Sequence, residues 1–309
     1  MKEARYLTTR IGLALVTFWV IVSVVFFLVR LAPGGPFDGE RRLPPEVEAN
    51  MLAAYNLDKS LPEQYLSYLG MLVRGDLGPS FRQKDFSVNE LVAAGLPVSV
   101  GIGGCALVLA TLSGIAIGVF AGLKPGSRRD AWLMGSVNLG IATPSIVLAP
   151  LAILVFSVWL AWLPAGGGSS IAHYVLPPIA LALPFTTAIA RLTRGSIAEV
   201  MTSPHVTTAR SKGLPEALIV RRHILPLAIL PVVSFLGPAA AALLTGSVVI
   251  EQIFDLPGIG RYFVQGALNR DYTLVMGVVV VYAALILTFN LLVDLAYSRL
   301  DPRIRLAGG

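Results

Sequence analysis

At 309 residues the chain is long enough for two soluble domains, but 55% of its residues are apolar, only 14% are charged and its mean hydropathy is +0.74. Those values exclude an ordinary soluble fold and describe a membrane protein. The net charge of +6 raises a nucleic-acid partner that only its distribution can settle, and a single cysteine, Cys105 in an apolar run, excludes an internal disulfide.

A bilayer core takes about 20 consecutive apolar residues as a helix, because only a helix satisfies its own backbone in hydrocarbon. Six stretches qualify: 11–31, 96–122, 133–162, 174–192, 227–250 and 274–297. The first is too long, and lacks the small-residue cleavage pattern, for a removed signal peptide; it reads as a retained anchor occupying 1–32.

Residues 33–95 form the one large piece between spans, and 96–309 the remaining five-span unit. Within the connecting piece, Pro45 can start a helix, and Leu52, Tyr55, Leu61, Tyr65, Tyr68, Leu69 and Leu72 recur at near-helical spacing. The expectation is a small helical cap outside the membrane, against the alternative of a loose loop.

Span two carries Ala106, Ala110, Gly114, Gly118 and Gly122, small residues at every fourth position. Such a stripe lets two helix backbones approach closely, within the chain or with a partner. Prolines punctuate span three (Pro144, Pro150), span four (Pro177, Pro178, Pro184) and span five (Pro231, Pro238), each removing a backbone hydrogen bond and kinking its helix. Kinked helices suit a pathway, and Asn138, Pro144, Ser145, Pro184, Pro238 and Thr245 are its candidate residues. Ser145 and Thr245 equally suit bonds back to their own helices, and Asn138 and Asn290 suit interhelical hydrogen bonds.

The span centres hold no Asp, Glu, Lys, Arg or His; Arg30 and Asp294 lie near span ends. That counts against a carrier coupled to protons or sodium ions, which places such groups in the membrane.

With the N-terminus inside, fifteen of the 24 Lys and Arg residues fall on the inner side, giving +9 inside and −3 outside. The positive-inside rule thus puts both termini in the cytoplasm, and topology accounts for the charge without nucleic acid. No G-x-x-x-x-G-K-[ST] phosphate loop, H-E-x-x-H, C-x-x-C or G-x-S-x-G occurs, and His173, His205 and His223 are too dispersed to share a metal. No cofactor and no catalytic residue are expected in this chain.

The inner connection between spans four and five, 193–226, contains SPHVTTARSKGLPEALIVRRHILP. Ser203 can cap a helix beginning at Pro204, Gly213 can end it, and Pro215 can open a second with Glu216 in its first turn and Arg221, Arg222 and His223 at its end. Helices this short need packing to hold their shape, and Val206, Ala209, Leu214, Leu218 and Ile219 offer the surface. The pair is either a knob that docks into a partner or a basic connector lying on lipid headgroups.

TTARSKGLPEALIVRRHILP resembles the E-A-A loop of bacterial ABC importer permeases, with Gly213 on the family glycine and Leu225 and Pro226 on the closing L-P. Thr207 and Thr208 stand where the family pattern has Glu and Ala, Ala209 matches its second Ala, and His223 stands at the usual Ile. LVRLAPGGPFD, GDLGPSF, IATPSIVLAP, GSVVIEQIFDLPGIGRYFVQGALNRDY and YSRLDPRIR resemble, in order, the B-type membrane subunit of oligopeptide and dipeptide permeases.

The resemblance implies an all-α integral membrane protein with the six-span fold of type I ABC importer permeases, in the bacterial inner membrane. It implies four kinds of partner: a second homologous permease, two cytoplasmic ATPase subunits that hold ATP and Mg, an extracytoplasmic peptide-binding protein, and membrane lipid. The inner loop would couple to an ATPase through Thr207, Thr208, Ala209, Gly213 and Leu214 at the turn, with Arg210, Lys212, Glu216 and Arg221 as polar contacts. The same architecture importing nickel or another small solute, and a stand-alone ion-coupled carrier, are the alternatives.

Overall fold

A computed structural model describes residues 2–31, 57–83 and 85–300. The expected helix from Pro45, with Leu52 and Tyr55, and the end of the YSRLDPRIR block lie outside the described residues.

Helix α1 is Lys2–Leu31 and α2 is Leu61–Val73; α3 is Val88–Gly122, and α4 is Arg128–Ala142. Serines start three of these. Ser60 and Glu63 close a capping box on α2, Ser87 and Glu90 do so on α3, and the Ser127 hydroxyl accepts from the Asp130 amide on α4. Helix α5 is Ser145–Ala152 and runs into wide π turns over Ile153–Trp159. Next come α6 (Leu176–Met201), α7 (Pro204–Ser211), α8 (Glu216–Ile219), α9 (Leu225–Ala228), α10 (Leu230–Ile253), α11 (Ile259–Leu268) and α12 (Tyr272–Leu300).

Five of these segments are long and apolar enough to cross a membrane: Thr8–Leu31, Val88–Gly122, Ile171–Met201, Leu230–Ile253 and Tyr272–Leu295. The stretch expected as span three, 133–162, is instead broken into α4 and α5. Pro144 is the cause: it offers no amide to the helix and forces Thr143 into an extended conformation, φ −112° and ψ 115°. Helix α3 also begins at Val88, eight residues before the expected start of span two. Three prolines expected to kink helices do not sit where they would, since Pro177, Pro178 and Pro231 occupy first turns that need no amide. Pro150, Pro184 and Pro238 are interior, as is Pro97 of α3.

The small-residue stripe of α3 packs within the chain, against α6. A Cβ at Gly114 would lie 2.8 Å from Ile189, one at Gly118 would collide with Thr193, and one at Gly122 would lie 2.8 Å from Ile197. Both partners advance by four residues in the same direction, so α3 and α6 run parallel. Their backbones are close enough that dispersion between them replaces the hydrophobic effect, which lipid does not supply. Two parallel helices need a crossover, and the broken α4–α5 segment provides it.

One apolar cluster joins Val22 and Phe26 of α1, Tyr68 of α2, Val88 of α3 and Val278 of α12. Helix α2 packs on the end of α1: Tyr65 and Tyr68 lie on the Phe26 ring at 5.2 and 5.6 Å, and Arg30 donates to Gln64 at 2.7 Å. Outside that contact α1 exposes Leu13, Leu15, Trp19 and Leu28, a surface that meets lipid in a bilayer. At its other end Arg10 pairs with Asp294 of α12 at 3.4 Å.

Asp271, buried just before α12, ties two distant stretches together. Its carboxylate accepts from the Ser80 hydroxyl, from the Phe81 amide at 3.1 Å and from the Leu274 amide at 3.2 Å. It therefore caps α12 and fixes the bend at Ser80–Arg82 in one act. Asn290, weighed as an interhelical donor, lies where a Cβ at Gly237 would be 2.9 Å from its Oδ1.

Candidate functional site

The connection after α6 folds as an elbow. Ser203 takes the extended N-cap conformation, φ −72° and ψ 150°, and Pro204 follows in the first turn of α7. The Ser203 hydroxyl does not cap; it donates back to the Val200 carbonyl. Gly213 has φ +72° and ends the helix, with its amide on the Arg210 carbonyl at 2.9 Å and the Leu214 amide on the Ala209 carbonyl at 3.3 Å. This reversal needs a residue without a Cβ.

Pro215 then opens α8, which is a single turn. The expected second helix does not continue in α geometry: Val220–Ile224 adopts wide π turns before α9. Pro226 has no amide to return to the Arg222 carbonyl, and the wider turns carry the chain past that missing bond. Arg221, Arg222 and His223 are therefore not at the negative end of an α-helix.

The elbow has two faces. Val206, Ala209, Ile219, Ile224 and Ala228 are buried together on Ile197 of α6, with Leu214 half-buried beside them. Ala209, expected at the turn as a partner contact, thus points into its own chain. The packing that these short helices need comes from α6. Thr207, Thr208, Arg210, Lys212, Gly213, Glu216, Arg221 and Arg222 make the exposed face. The hydroxyls of Thr207 and Thr208 donate to Ser203 and Pro204 carbonyls of the same helix, at 3.3 and 2.9 Å. Across the turn Arg210 donates to both oxygens of Glu216, at 2.7 and 3.4 Å, and holds that carboxyl below the usual carboxylate range.

At the same end of the molecule a cavity of about 600 Å3 opens between α4 and α6, lined by Ser127, Asp130, Met134, Asn138, Arg191 and Arg194. Asp130 accepts from Arg194 through two bonds of 2.6 Å and from the Gly126 amide at 2.9 Å. The Arg194 bonds hold the buried Asp130 carboxyl below its ordinary range.

Of the candidate pathway residues only Asn138 lines this cavity. Pro144 is exposed at the break between α4 and α5, and Ser145 and Pro184 are half-buried. Pro238 and Thr245 are exposed on α10, where the Thr245 hydroxyl is spent on Ala241 and Ala242 carbonyls at 3.1 and 3.2 Å. The structure does not gather the six into one lining.

The sequence reading passed over the Asp130–Arg194 clasp, although Ser127 three residues before Asp130 marked a helix start. It also passed over Glu251, which is buried at the end of α10 and accepts from the Gly260 amide at 2.8 Å. Glu251 stood inside the quoted GSVVIEQIFDLPGIG block, one residue beyond the expected span.

Comparison with known proteins fits this architecture. The family described as "Binding-protein-dependent transport system inner membrane component" matches residues 114–306. The chain is 49% identical to the oligopeptide transport system permease protein OppB of Salmonella typhimurium, over 94% of this chain and 96% of that protein. It is 42% identical to the dipeptide transport system permease protein DppB of Bacillus subtilis, over 98% of each. Among solved structures, an inward-facing MetNI methionine ABC transporter aligns with a TM-score of 0.56 at 17% identity, covering 68% of this chain and 96% of that one. An amino acid ABC transporter solved with histidines aligns at 0.54 and 21%, covering 68% and 94%. These two likenesses establish the fold. The chain belongs to the family of binding-protein-dependent transport system inner membrane components, as a multi-pass permease related to the oligopeptide and dipeptide permease proteins.

Proposed function

We propose that this chain is one half of the gate of an ATP-driven peptide importer and that the elbow at 203–226 is where a cytoplasmic ATPase levers it. The observation that carries the reading is the two-faced elbow: its apolar side is locked onto α6 through Ile197, while its polar side is left open around Gly213. A push on such a knob is transmitted to α6, and through the close α3–α6 contact to the bundle, because packed helices move as bodies.

In this reading 193–226 and both termini face the cytoplasm, and the end that holds α2 and the Asp271 hub faces the exterior. ATP and Mg reside in two partner ATPases. A second, homologous permease completes the gate, and an external binding protein delivers the peptide. The chain itself performs no catalysis. Support for the peptide cargo comes from the names of the oligopeptide and dipeptide relatives at 49% and 42% identity.

Reconstitution tests it. The complex assembled with ATPases, second permease and binding protein is expected to accumulate a radiolabelled tripeptide only when ATP is supplied on the elbow side, and this chain alone is expected to accumulate none. Peptide accumulation by the chain alone, driven by an ion gradient, or nickel uptake without peptide uptake, would overturn the reading.

A further inference from the structure

We propose that the cavity between α4 and α6 is a carboxylate station on the route by which a peptide leaves the gate, with Arg191 as its cation and Asn138 as its amide. This rests on the peptide-importer reading above and names the chemical group that the inner part of the path recognises.

The charges on the cavity wall separate cleanly. Asp130 and Arg194 neutralise one another through two hydrogen bonds, and Asp130 takes a third from the Gly126 amide. No other acid lines the cavity. Arg191 sits one turn before Arg194 on α6, is exposed, and among the described residues has no hydrogen-bond or ion-pair partner. It stands ten residues before the end of α6 at Met201, at the inner end of the stretch expected as span four, 174–192. A guanidinium at the inner end of a membrane-spanning helix, lining an open cavity, is placed to meet a solute that leaves on that side.

The chemistry of the wall selects the ligand. A planar guanidinium matches a planar carboxylate through two parallel bonds, and an adjacent amide supplies a further donor. The main-chain carboxylate is the anion that every linear peptide shares, whatever its side chains. Met134 gives the cavity an apolar wall that adapts to different shapes. The volume, about 600 Å3, falls in the roughly 300–1,000 Å3 range of small-molecule sites. A single cation open to water holds a carboxylate weakly, which suits a station that must let go.

The test uses the complete complex in proteoliposomes, with trialanine and trialanine amide as probes, and reads the uptake of Arg191→Gln relative to wild type for each. Taking that ratio cancels the binding protein's own preference. The expected result is a loss of about tenfold or more for the free acid, the lower end of one charge-assisted contact, and under about twofold for the amide. Arg191→Lys, which keeps the charge but not the fork, should recover part of the free-acid uptake.

Equal losses for both probes, or none for either, would overturn the inference. A defect equal for both probes that appears only in vesicles containing anionic phospholipid would assign Arg191 to a lipid phosphate instead. Should Arg191→Gln fail to assemble, Asn138→Ala is read in the same way, with a selective free-acid loss expected and an equal loss fatal. A wild-type complex that accumulates neither probe sinks the importer reading itself, and this inference with it.

Discussion

Asp130 of α4 clasps Arg194 of α6 through two hydrogen bonds of 2.6 Å, fastening the broken third segment to the helix that carries the elbow. Asp130→Asn keeps the shape but removes the charge, leaving Arg194 without its counter-ion. A loss of about 1–3 kcal/mol is expected, measured by thermal unfolding of the purified complex in detergent.

The same clasp predicts an acid limit. Arg194 depresses the Asp130 pKa, so its contribution is fully present above the ordinary aspartate value of about 3.9 and fades as pH falls through the lower folded value. Wild type should therefore lose a component of thermal stability below about pH 4 that Asp130→Asn lacks. Parallel acid titrations of the two proteins would reveal it, and superimposable curves would contradict it.

Gly118→Val inserts a side chain where even a Cβ collides with Thr193. Forcing α3 and α6 apart should cost about 1–3 kcal/mol or prevent folding, seen as loss of monodisperse protein on gel filtration. Gly101→Ala, on the same helix with nothing within 4 Å of its Cβ, is the control and should behave as wild type.

Gly213 sits at φ +72° with open space around it, so a substitution there acts through the backbone alone. Gly213→Val should strain the turn by about 1–2 kcal/mol, leave the protein in the membrane and reduce both peptide uptake and the ATP hydrolysis tied to it. Gly213→Asn should lose less, since Asn enters the left-handed region more readily.

Much of this was legible in the sequence because it is local. The helix start at Pro204, the Gly213 stop and the four-residue stripe of α3 are short-range patterns with direct physical meaning. What stayed hidden is long-range or off-period. Ile189, Thr193 and Ile197 mix polar and apolar character, so nothing marked them as the stripe's partner. The π turns at 153–159 and 220–224 break the 3.6-residue period on which helix reading depends. Ser80 and Asp271 are 191 residues apart, and one sequence does not say that two separately noticed blocks touch. Ala209 was read for its position in a loop pattern, whereas its small size serves burial against α6.

The central claim is that the open face of the elbow sits on a motor carried by another subunit. It is tested most directly by crosslinking from Lys212→Cys, in a background where Cys105 is replaced, within the assembled complex. The account predicts a crosslink to the ATP-hydrolysing subunit that stops peptide uptake when formed and restores it when reduced. A probe at that position that reaches only lipid, with uptake at the wild-type rate, would contradict it.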